Sequence, residues 1–296
     1  MEFTADPATT NPAPLIGIDV GGTAIKYGIV DGLGRITHTG TRPTPTSSPE
    51  ITAALTEIAA DLDATGIDPR LPAGVAVPGI VDEERGIGVW SANLGWRDAP
   101  LAAEFSKALG REVALGHDVR CGAIAEAEYT DAGPDLFFVA IGTGISAALV
   151  LGGRHVITGG WAGEIGQYRV EHEGELVPLE KVASSAAIAR TYSRITGQTV
   201  AGAKEVFEAP DAREIIADAL SHLGEVLAAS ASTLGPVPIR IGGAAVRSGE
   251  DLFGPLRAEL TRRLPEQAIP TITAAELGAS AQVVGAATLA RRRIPA

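Results

Sequence analysis

Three apolar segments of the sequence end in glycine turns that could hold phosphate. They are Asp19-Val20-Gly21-Gly22-Thr23, Ile141-Gly142-Thr143-Gly144 and Ile241-Gly242-Gly243. Glycine lets the backbone turn tightly and approach a ligand closely, and successive amide groups in such a turn point into one concavity that suits an anion. Any one of them could be an ordinary tight turn. Three together, with hydroxyl groups at Thr23 and Thr143, predict a phosphate-binding role.

Two charged side chains accompany the first of these turns. Asp19 lies at the end of a predicted strand, where its carboxylate could orient hydrated Mg²⁺, and Lys26 could offset phosphate charge. The sequence contains no Gly-x-x-x-x-Gly-Lys-Ser/Thr segment, so a P-loop is not the phosphate-binding device here.

Asp118 is the candidate general base. It stands between a predicted strand, Val113 to Leu115, and a helix predicted from about Val119 to Tyr129. A carboxylate in that position can face a cleft and take a proton, which contributes roughly 10²–10⁴-fold to a rate. Asp118 could equally be a helix N-cap, and residue type alone leaves both roles open. The neighbouring His117 is expected to be structural.

The elements around these residues alternate between strand and helix, which predicts an α/β protein. Strands are predicted at 15–20, 25–30, 74–77, 113–115, 136–141, 147–151 and 239–241, and helices at 51–63, 101–109, 119–129 and 279–291. Residues 41–49 and 80–100 read as loops, and the chain from Leu179 onward as mainly helical apart from 239–241. Since similar strand–glycine turns flank Asp118, a division near that residue is expected.

The amino-acid composition argues against several classes of partner, namely nucleic acid, thiolate-bound zinc and membranes. The chain has 296 residues and a net charge of -12, and a uniformly acidic surface repels nucleic acid. Its single cysteine, Cys121, cannot build a zinc site from several thiolates. No apolar stretch approaches the roughly 20 residues that span a bilayer. We therefore expect no nucleic-acid partner, no membrane partner and a cytoplasmic location.

The first 14 residues are polar and rich in Pro, Thr and Ala. They lack the basic start and apolar block of a signal peptide. We expect a disordered lead-in that is too short for a helix-turn-helix module.

A dinucleotide fingerprint is matched only loosely. Gly142-x-Gly144-x-x-Ala147 is followed by Glu164 at about the expected distance. That fingerprint needs a helix directly after the glycines, whereas the residues after Gly144 are predicted to be a strand. A dehydrogenase is the least favoured function.

Taken together, these residues resemble the ROK family of sugar kinases and sugar-responsive repressors, within the actin-like ATPase superfamily. The resemblance runs from about Leu15 to Arg291. Besides the residues above, it rests on Gly74-Val75-Ala76-Val77-Pro78-Gly79-Ile80-Val81-Asp82, Asn93-Leu94-Gly95-Trp96, Glu126, Gly163-Glu164-Ile165-Gly166, Leu179-Glu180 with Ala183-Ser184, and Leu277-Gly278 to Leu289.

The resemblance implies a two-lobed α/β fold of the actin-like ATPase, ribonuclease H-like type, with mixed sheets. Residues 15–117 and a C-terminal helix at about 280–296 would form the smaller lobe, and 118–279 the larger. The implied activity is transfer of the γ-phosphoryl group of ATP to a hexose hydroxyl, by default the primary 6-hydroxyl of glucose or a related sugar. Mg²⁺ would accompany ATP, and a homodimer would be usual.

The resemblance also assigns roles to residues, with Asp118 as the base. The sugar would be bound by Gly79, Asn93, Asp118, Glu164, Gln167 and Glu180. ATP and its phosphates would be bound by Asp19, Gly21, Gly22, Thr23, Lys26, Gly142, Thr143, Gly144, Gly242 and Gly243.

The sequence departs from the family pattern in its metal loop. Gln167 stands where the family has histidine, and 170–178 is short and free of cysteine where the family has a cysteine-rich zinc loop. We therefore expect no zinc. His117 and Arg120 also replace the usual residues around Asp118. These departures leave two alternatives, a sugar-binding pseudokinase or regulator without its own DNA-binding module, and a kinase that uses polyphosphate as donor.

Overall fold

The structure is a computed structural model that describes residues 13–91 and 93–293. The predicted lead-in lies almost entirely outside these residues. The described chain divides into two compact units, the first comprising residues 13–118 and 282–293 and the second Val119–Ala281. Each unit has its own five-stranded sheet and its own hydrophobic core.

The strands and helices follow in this order. The strands are β1 (Leu15–Val20), β2 (Ala24–Val30), β3 (Ile36–Pro43), β4 (Ala73–Val77), β5 (Ile80–Asp82), β6 (Ile87–Trp90), β7 (Arg97–Ala99), β8 (Val113–His117), β9 (Leu136–Ile141), β10 (Ile145–Leu151), β11 (Arg154–His155), β12 (Arg169–His172), β13 (Glu175–Pro178), β14 (Ile239–Gly242) and β15 (Ile272–Ala274). The α-helices are α1 (Ser48–Asp63), α2 (Leu101–Leu109), α3 (Asp118–Tyr129), α4 (Glu180–Ala183), α5 (Ser185–Thr196), α6 (Ala203–Phe207), α7 (Arg213–Leu234), α8 (Glu250–Arg263) and α9 (Ala281–Arg293).

The first unit is built on a sheet of order β3-β2-β1-β4-β8. The β1–β2 and β2–β3 pairs are antiparallel, and the β1–β4 and β4–β8 pairs are parallel. Every residue of β1 and β4 is buried, as expected for central strands covered on both faces. Helix α1 contributes an apolar stripe, Ile51, Leu55, Ile58 and Leu62, to the core on this sheet.

The second unit repeats this plan. Its sheet has the order β11-β10-β9-β14-β15, with antiparallel β9–β10 and β10–β11 pairs and parallel β9–β14 and β14–β15 pairs. Its core includes Leu220, Leu223 and Leu227 from α7 and Leu256 and Leu260 from α8. The two sheets therefore share one topology, which agrees with the similar strand–glycine turns on either side of Asp118.

The structure corrects several predictions about short elements. Residues 80–100 were expected to be a loop, but they hold β5, β6 and β7 in a three-stranded antiparallel sheet. Likewise β3 extends to Pro43, and β15 interrupts the region predicted to be mainly helical. Strands of three or four residues are too short to show a two-residue periodicity. The predicted α/β class with mixed sheets is confirmed.

Within the described ranges, no helix is both long enough and apolar enough to cross a membrane.

Candidate active site

Three predicted site residues lie at one edge of the sheet in the first unit. Strands β1, β4 and β8 are parallel neighbours, so their carboxyl ends meet at the same edge. Asp19 is the penultimate residue of β1, Gly79 follows β4, and Asp118 comes directly after β8. Ligands of open α/β sheets characteristically bind beyond the carboxyl ends of the strands. This edge is therefore the natural place for the site.

The carboxyl groups of Asp19 and Asp118 interact electrostatically. The pKa of Asp19 is raised from 3.8 to about 7, chiefly by burial and then by the neighbouring Asp118 carboxylate, while Lys26 opposes the shift. Asp19 is only 7% exposed. Because two neighbouring carboxylates repel each other, a cation or a proton stabilises the pair. Hard oxygen ligands of this kind are those that Mg²⁺ prefers, so Asp19 fits the predicted role of orienting hydrated Mg²⁺.

Asp118 is held against His117 at the end of β8. His117 Nε2 lies 3.3 Å from Asp118 Oδ1, and the Asp118 side chain is 27% exposed whereas that of His117 is buried. The backbone amide of His117 donates to Glu83 Oε1 at 3.2 Å. Buried Glu83 in turn forms an ion pair with Arg293, whose Nη2 lies 3.0 Å from Glu83 Oε2. This chain of contacts fixes the strand end from which Asp118 projects.

Gly79 and Asn93 lie on the segments that follow β4 and β6. Gly79 has a φ of 101°, and a Cβ there would lie 2.2 Å from the carbonyl oxygen of Trp90. No side chain fits at this position, so the close approach of the Pro78-Gly79 turn to Trp90 requires glycine. Asn93 is exposed on a turn closed by a hydrogen bond from the Ser91 amide to the Trp96 carbonyl, 3.1 Å long.

The first phosphate turn, Gly21 to Thr23, connects β1 and β2. Within it the Gly21 amide donates to the Ala24 carbonyl at 3.1 Å. Thr44 braces the turn from outside, since its amide donates to the Thr23 carbonyl at 3.0 Å and its hydroxyl to the Gly21 carbonyl at 2.6 Å. Both hydrogen bonds from Thr44 are accepted by carbonyl groups of the turn. Gly22 and Thr23 are exposed. The turn therefore presents a braced loop with an accessible tip.

The second phosphate turn lies in the second unit, between β9 and β10. The Gly142 amide donates to the Gly144 carbonyl at 2.9 Å, which closes the turn. Strand β14 is parallel to β9, and Gly242 pairs with Ala140. The third glycine turn, at Gly242 and Gly243, thus lies at the same sheet edge as Gly142.

A cavity of about 690 Å³ opens beside the second phosphate turn. Its walls come from Gly142 and Thr143, the start of α5, the segment leading into α6, and the turn after Gly243. Three cations line it, Arg190, Lys204 and Arg247. Its volume lies in the range of small-molecule and cofactor sites. Two carboxylates, Glu205 and Glu208, also line the cavity, and Lys204 Nζ lies 3.5 Å from Glu208 Oε1. Beside the glycine turn the cavity therefore offers Arg190 and Arg247 as cations for an anionic ligand.

Sequence reasoning missed these three cations. They lie on three separate elements, α5, α6 and the turn after β14, so no spacing in the sequence connects them. The only available signal was the occurrence of basic residues near glycine turns in an acidic chain.

The remaining predicted sugar ligands also lie in the second unit. Gln167 Nε2 donates to Glu180 Oε1 at 3.0 Å, and the Ser146 hydroxyl donates to Glu164 Oε1 at 3.4 Å. A Cβ at Gly144 would lie 2.7 Å from Glu180 Oε2. Since any side chain at Gly144 would press on this carboxylate, the second phosphate turn and the Gln167–Glu180 pair are direct neighbours.

The predicted residues thus form two sets, one in each unit. Asp19, Asp118 and Gly79 share a sheet edge in the first unit, with Asn93 on a turn of the same unit. The glycine turns at 142–144 and 242–243, with Gln167 and Glu180, belong to the second.

The chain matches a known protein family over almost its whole length. The model of the ROK family matches residues 15–293. The chain belongs to the ROK family. The motifs that first suggested this family all lie within the matched residues.

Several sugar-kinase relatives resemble the chain. A glucokinase of Thermotoga maritima is 29% identical, with 95% of this chain and 98% of the relative covered. The bifunctional enzyme NanE/NanK of Brucella melitensis is 33% identical over 98% of this chain, which spans only 55% of that protein. Among solved structures, a ROK family glucokinase of Streptomyces griseus in complex with glucose and AMPPNP is 28% identical, with a TM-score of 0.80 and coverage of 95% of this chain and 100% of that one.

Proposed function

We propose that this protein transfers the γ-phosphoryl group of ATP to a hydroxyl group of a hexose, with Asp118 as the general base. The coarser class, a sugar kinase of the ROK family, follows from the family match and from the glucokinases that resemble the chain over almost its whole length. The observation that carries the finer proposal is the placement of Asp118 beside Asp19 at the carboxyl edge of parallel strands.

The proposed step is an in-line displacement. Asp118 takes the proton of the sugar hydroxyl while the hydroxyl oxygen bonds to the γ-phosphorus and the bond to the leaving ADP oxygen breaks. The contact with His117 supports this role because it restricts the orientation of the Asp118 carboxylate. A base held in one orientation is ready for the hydroxyl without rearrangement.

The phosphates would be held by the two glycine turns and by Asp19 with its cation. Mg²⁺, when bound with ATP, would neutralise charge that develops on the transferring phosphoryl group. Asp19 would orient that hydrated ion, and Lys26, which faces Asp19 across the β1–β2 pair, would add positive charge. The exposed tip of the Gly21–Thr23 turn is suited to phosphate oxygens.

The sugar would be held by hydrogen bonds to carboxylates and amides. We assign Gly79, Asn93, Glu164, Gln167 and Glu180 to this role together with Asp118. The Gln167–Glu180 hydrogen bond supports the assignment, since it orients a carboxylate that lies next to the second phosphate turn. Gln167 thereby supplies a donor and an acceptor where the family pattern has an imidazole.

ATP would occupy the cavity lined by Arg190, Lys204 and Arg247, with its phosphates near these cations. This supports ATP over polyphosphate as the donor, because a cavity with defined walls matches a base and ribose better than a linear polyanion does.

The test is release of ADP by the wild-type protein with Mg-ATP and a panel of sugars: glucose, mannose, N-acetylglucosamine and N-acetylmannosamine. We expect release that depends on one of these sugars, and less sugar phosphate formed when polyphosphate replaces ATP. Measurable sugar binding with no sugar phosphate formed from any sugar with either donor would overturn the proposal and favour a sugar-binding regulator.

A further inference from the structure

Two histidines and an aspartate meet in the second unit, apart from the residues assigned to the reaction. They are His172 at the end of β12 and Asp218 and His222 on α7. His172 Nδ1 lies 3.4 Å from Asp218 Oδ2, and His222 Nε2 lies 3.5 Å from Asp218 Oδ1. One ligand atom from each residue lies within 4.8 Å of those of the other two.

This spacing matches that of metal ligands. Bonds of roughly 2.0–2.2 Å arranged tetrahedrally around zinc place two ligand atoms about 3.3–3.6 Å apart. Each imidazole nitrogen has an Asp218 oxygen at a separation in that interval, His172 with Oδ2 and His222 with Oδ1. The imidazole rings are nearly perpendicular, with an interplanar angle of 79° and centroids 5.5 Å apart. Such an arrangement lets both rings direct a nitrogen toward one point instead of stacking on each other.

The backbone also favours a preformed site. Asp218 and His222 are four residues apart on α7, so their side chains project from the same face of the helix. The side chains of His172 and His222 are 26% and 18% exposed, whereas that of Asp218 is 51% exposed. Two partly buried imidazoles with one solvent-facing carboxylate leave an entry path and room for a water ligand.

We propose that His172, Asp218 and His222 bind a divalent transition metal of the zinc class, with water as the fourth ligand. Two imidazole nitrogens and one carboxylate group are a zinc-type ligand set. The site uses no cysteine, so it differs from the thiolate site that the sequence rules out. The expectation of no zinc rested on the family's histidine, replaced here by Gln167, and on its missing cysteines. It did not consider the present cluster, because His172 and the pair on α7 are far apart in the sequence.

The metal would tie the β12–β13 hairpin to α7. That hairpin lies between Gln167 and Glu180 along the chain. A metal at the end of β12 would therefore hold the segment that joins the two members of the Gln167–Glu180 pair. The binding proposal stands on the geometry of the three ligands and does not depend on the proposed kinase activity.

The test is metal binding by untagged, chelator-treated protein without sugar or nucleotide, since a polyhistidine tag would itself bind the metal. Zn²⁺ is titrated in competition with a chromophoric chelator, and Co²⁺ is followed by its visible absorption. We expect one equivalent of Zn²⁺ per chain with a Kd below about 1 µM, and a Co²⁺ spectrum of tetrahedral type.

Variants locate the site. Asp218→Asn and His222→Gln should each weaken Zn²⁺ binding by at least about tenfold, while the control His38→Gln, in the first unit, should bind like the wild type. Asp218 is half-exposed, so Asp218→Asn keeps the test meaningful if His222→Gln fails to fold. Zn²⁺ should also raise the Tm of the wild type but not of Asp218→Asn. Absence of one-to-one binding, or equal affinity in Asp218→Asn and the wild type, would overturn the proposal.

Discussion

At the scale of single residues, Asp19 combines burial with a like-charged neighbour. Its pKa is raised to about 7, chiefly by burial and then by the Asp118 carboxylate. In the folded protein Asp19 keeps its proton between about pH 4 and pH 7, where an unfolded chain has already lost it. The free energy of unfolding therefore contains a favourable contribution at low pH that is lost as the pH rises through 7.

We predict that Asp19→Asn removes this pH dependence. Without Mg²⁺, the variant should gain stability relative to the wild type as the pH rises from 4 to 8, by up to about 4 kcal/mol. Thermal and denaturant unfolding across this pH range measures the difference. The exposed control Asp251→Asn should follow the wild type. A constant offset between Asp19→Asn and the wild type at all pH values would contradict the assigned electrostatics.

The Gln167–Glu180 hydrogen bond leads to a second prediction at the residue scale. Gln167→Ala removes the donor that orients Glu180 Oε1, and a hydrogen bond to a charged group contributes about 1.5–3 kcal/mol. The KM for the sugar should rise roughly tenfold, or somewhat more, while the KM for ATP changes little. Steady-state kinetics with each substrate varied separately tests this. The exposed Gln267→Ala serves as control, and a selective rise in the KM for ATP would count against the assignment.

At the scale of elements, the turn after β14 places Arg247 in the cavity beside Gly142 and Thr143. We predict that Arg247→Ala raises the KM for ATP roughly tenfold and leaves the KM for the sugar within about twofold, because one charge-assisted contact to phosphate is lost. Arg257→Ala, on α8 and outside the cavity lining, is the matched control. Equal effects of the two substitutions on the KM for ATP would show that the cavity does not bind ATP.

The elements also show which features the sequence could predict. Helix α1 was predictable because Ile51, Leu55 and Ile58 repeat at helical spacing, and β1 because it is a continuous apolar run before glycines. Strands β5 to β7 were not predictable, since they have three or four residues each and are defined by pairing with one another. Pairing is a property of the folded chain, and a local pattern carries little information about it.

The candidate site likewise contains residues that the sequence could predict and interactions that it could not. Asp19, Asp118 and the glycine turns could be proposed because each follows a recognisable strand. The interaction of Asp19 with Asp118 could not, because it depends on the order β1-β4-β8, which no local pattern encodes. Arg247 and the cluster of His172, Asp218 and His222 were missed for the same reason, since their members come together only through tertiary structure.

At the scale of the whole molecule, two sheets of the same topology carry the two sets of site residues, and the chain has a net charge of -12. The charge argues against nucleic acid as a partner. We predict no binding to duplex DNA tighter than about 10⁻⁴ M at physiological salt, measured by fluorescence anisotropy. Binding in the micromolar range would favour a regulator over an enzyme, and the basic last turn of α9 would then be the first surface to mutate.

In the proposed reaction, Asp118 removes the proton from a sugar hydroxyl. The most direct test compares Asp118→Asn with the wild type in sugar-dependent ADP release, alongside calorimetric binding of the same sugar. The amide keeps the size of the carboxylate but cannot accept the proton. Turnover should therefore fall at least about 10³-fold while sugar binding persists in part. Turnover close to the wild-type rate would show that Asp118 is not the base and that another group takes the proton.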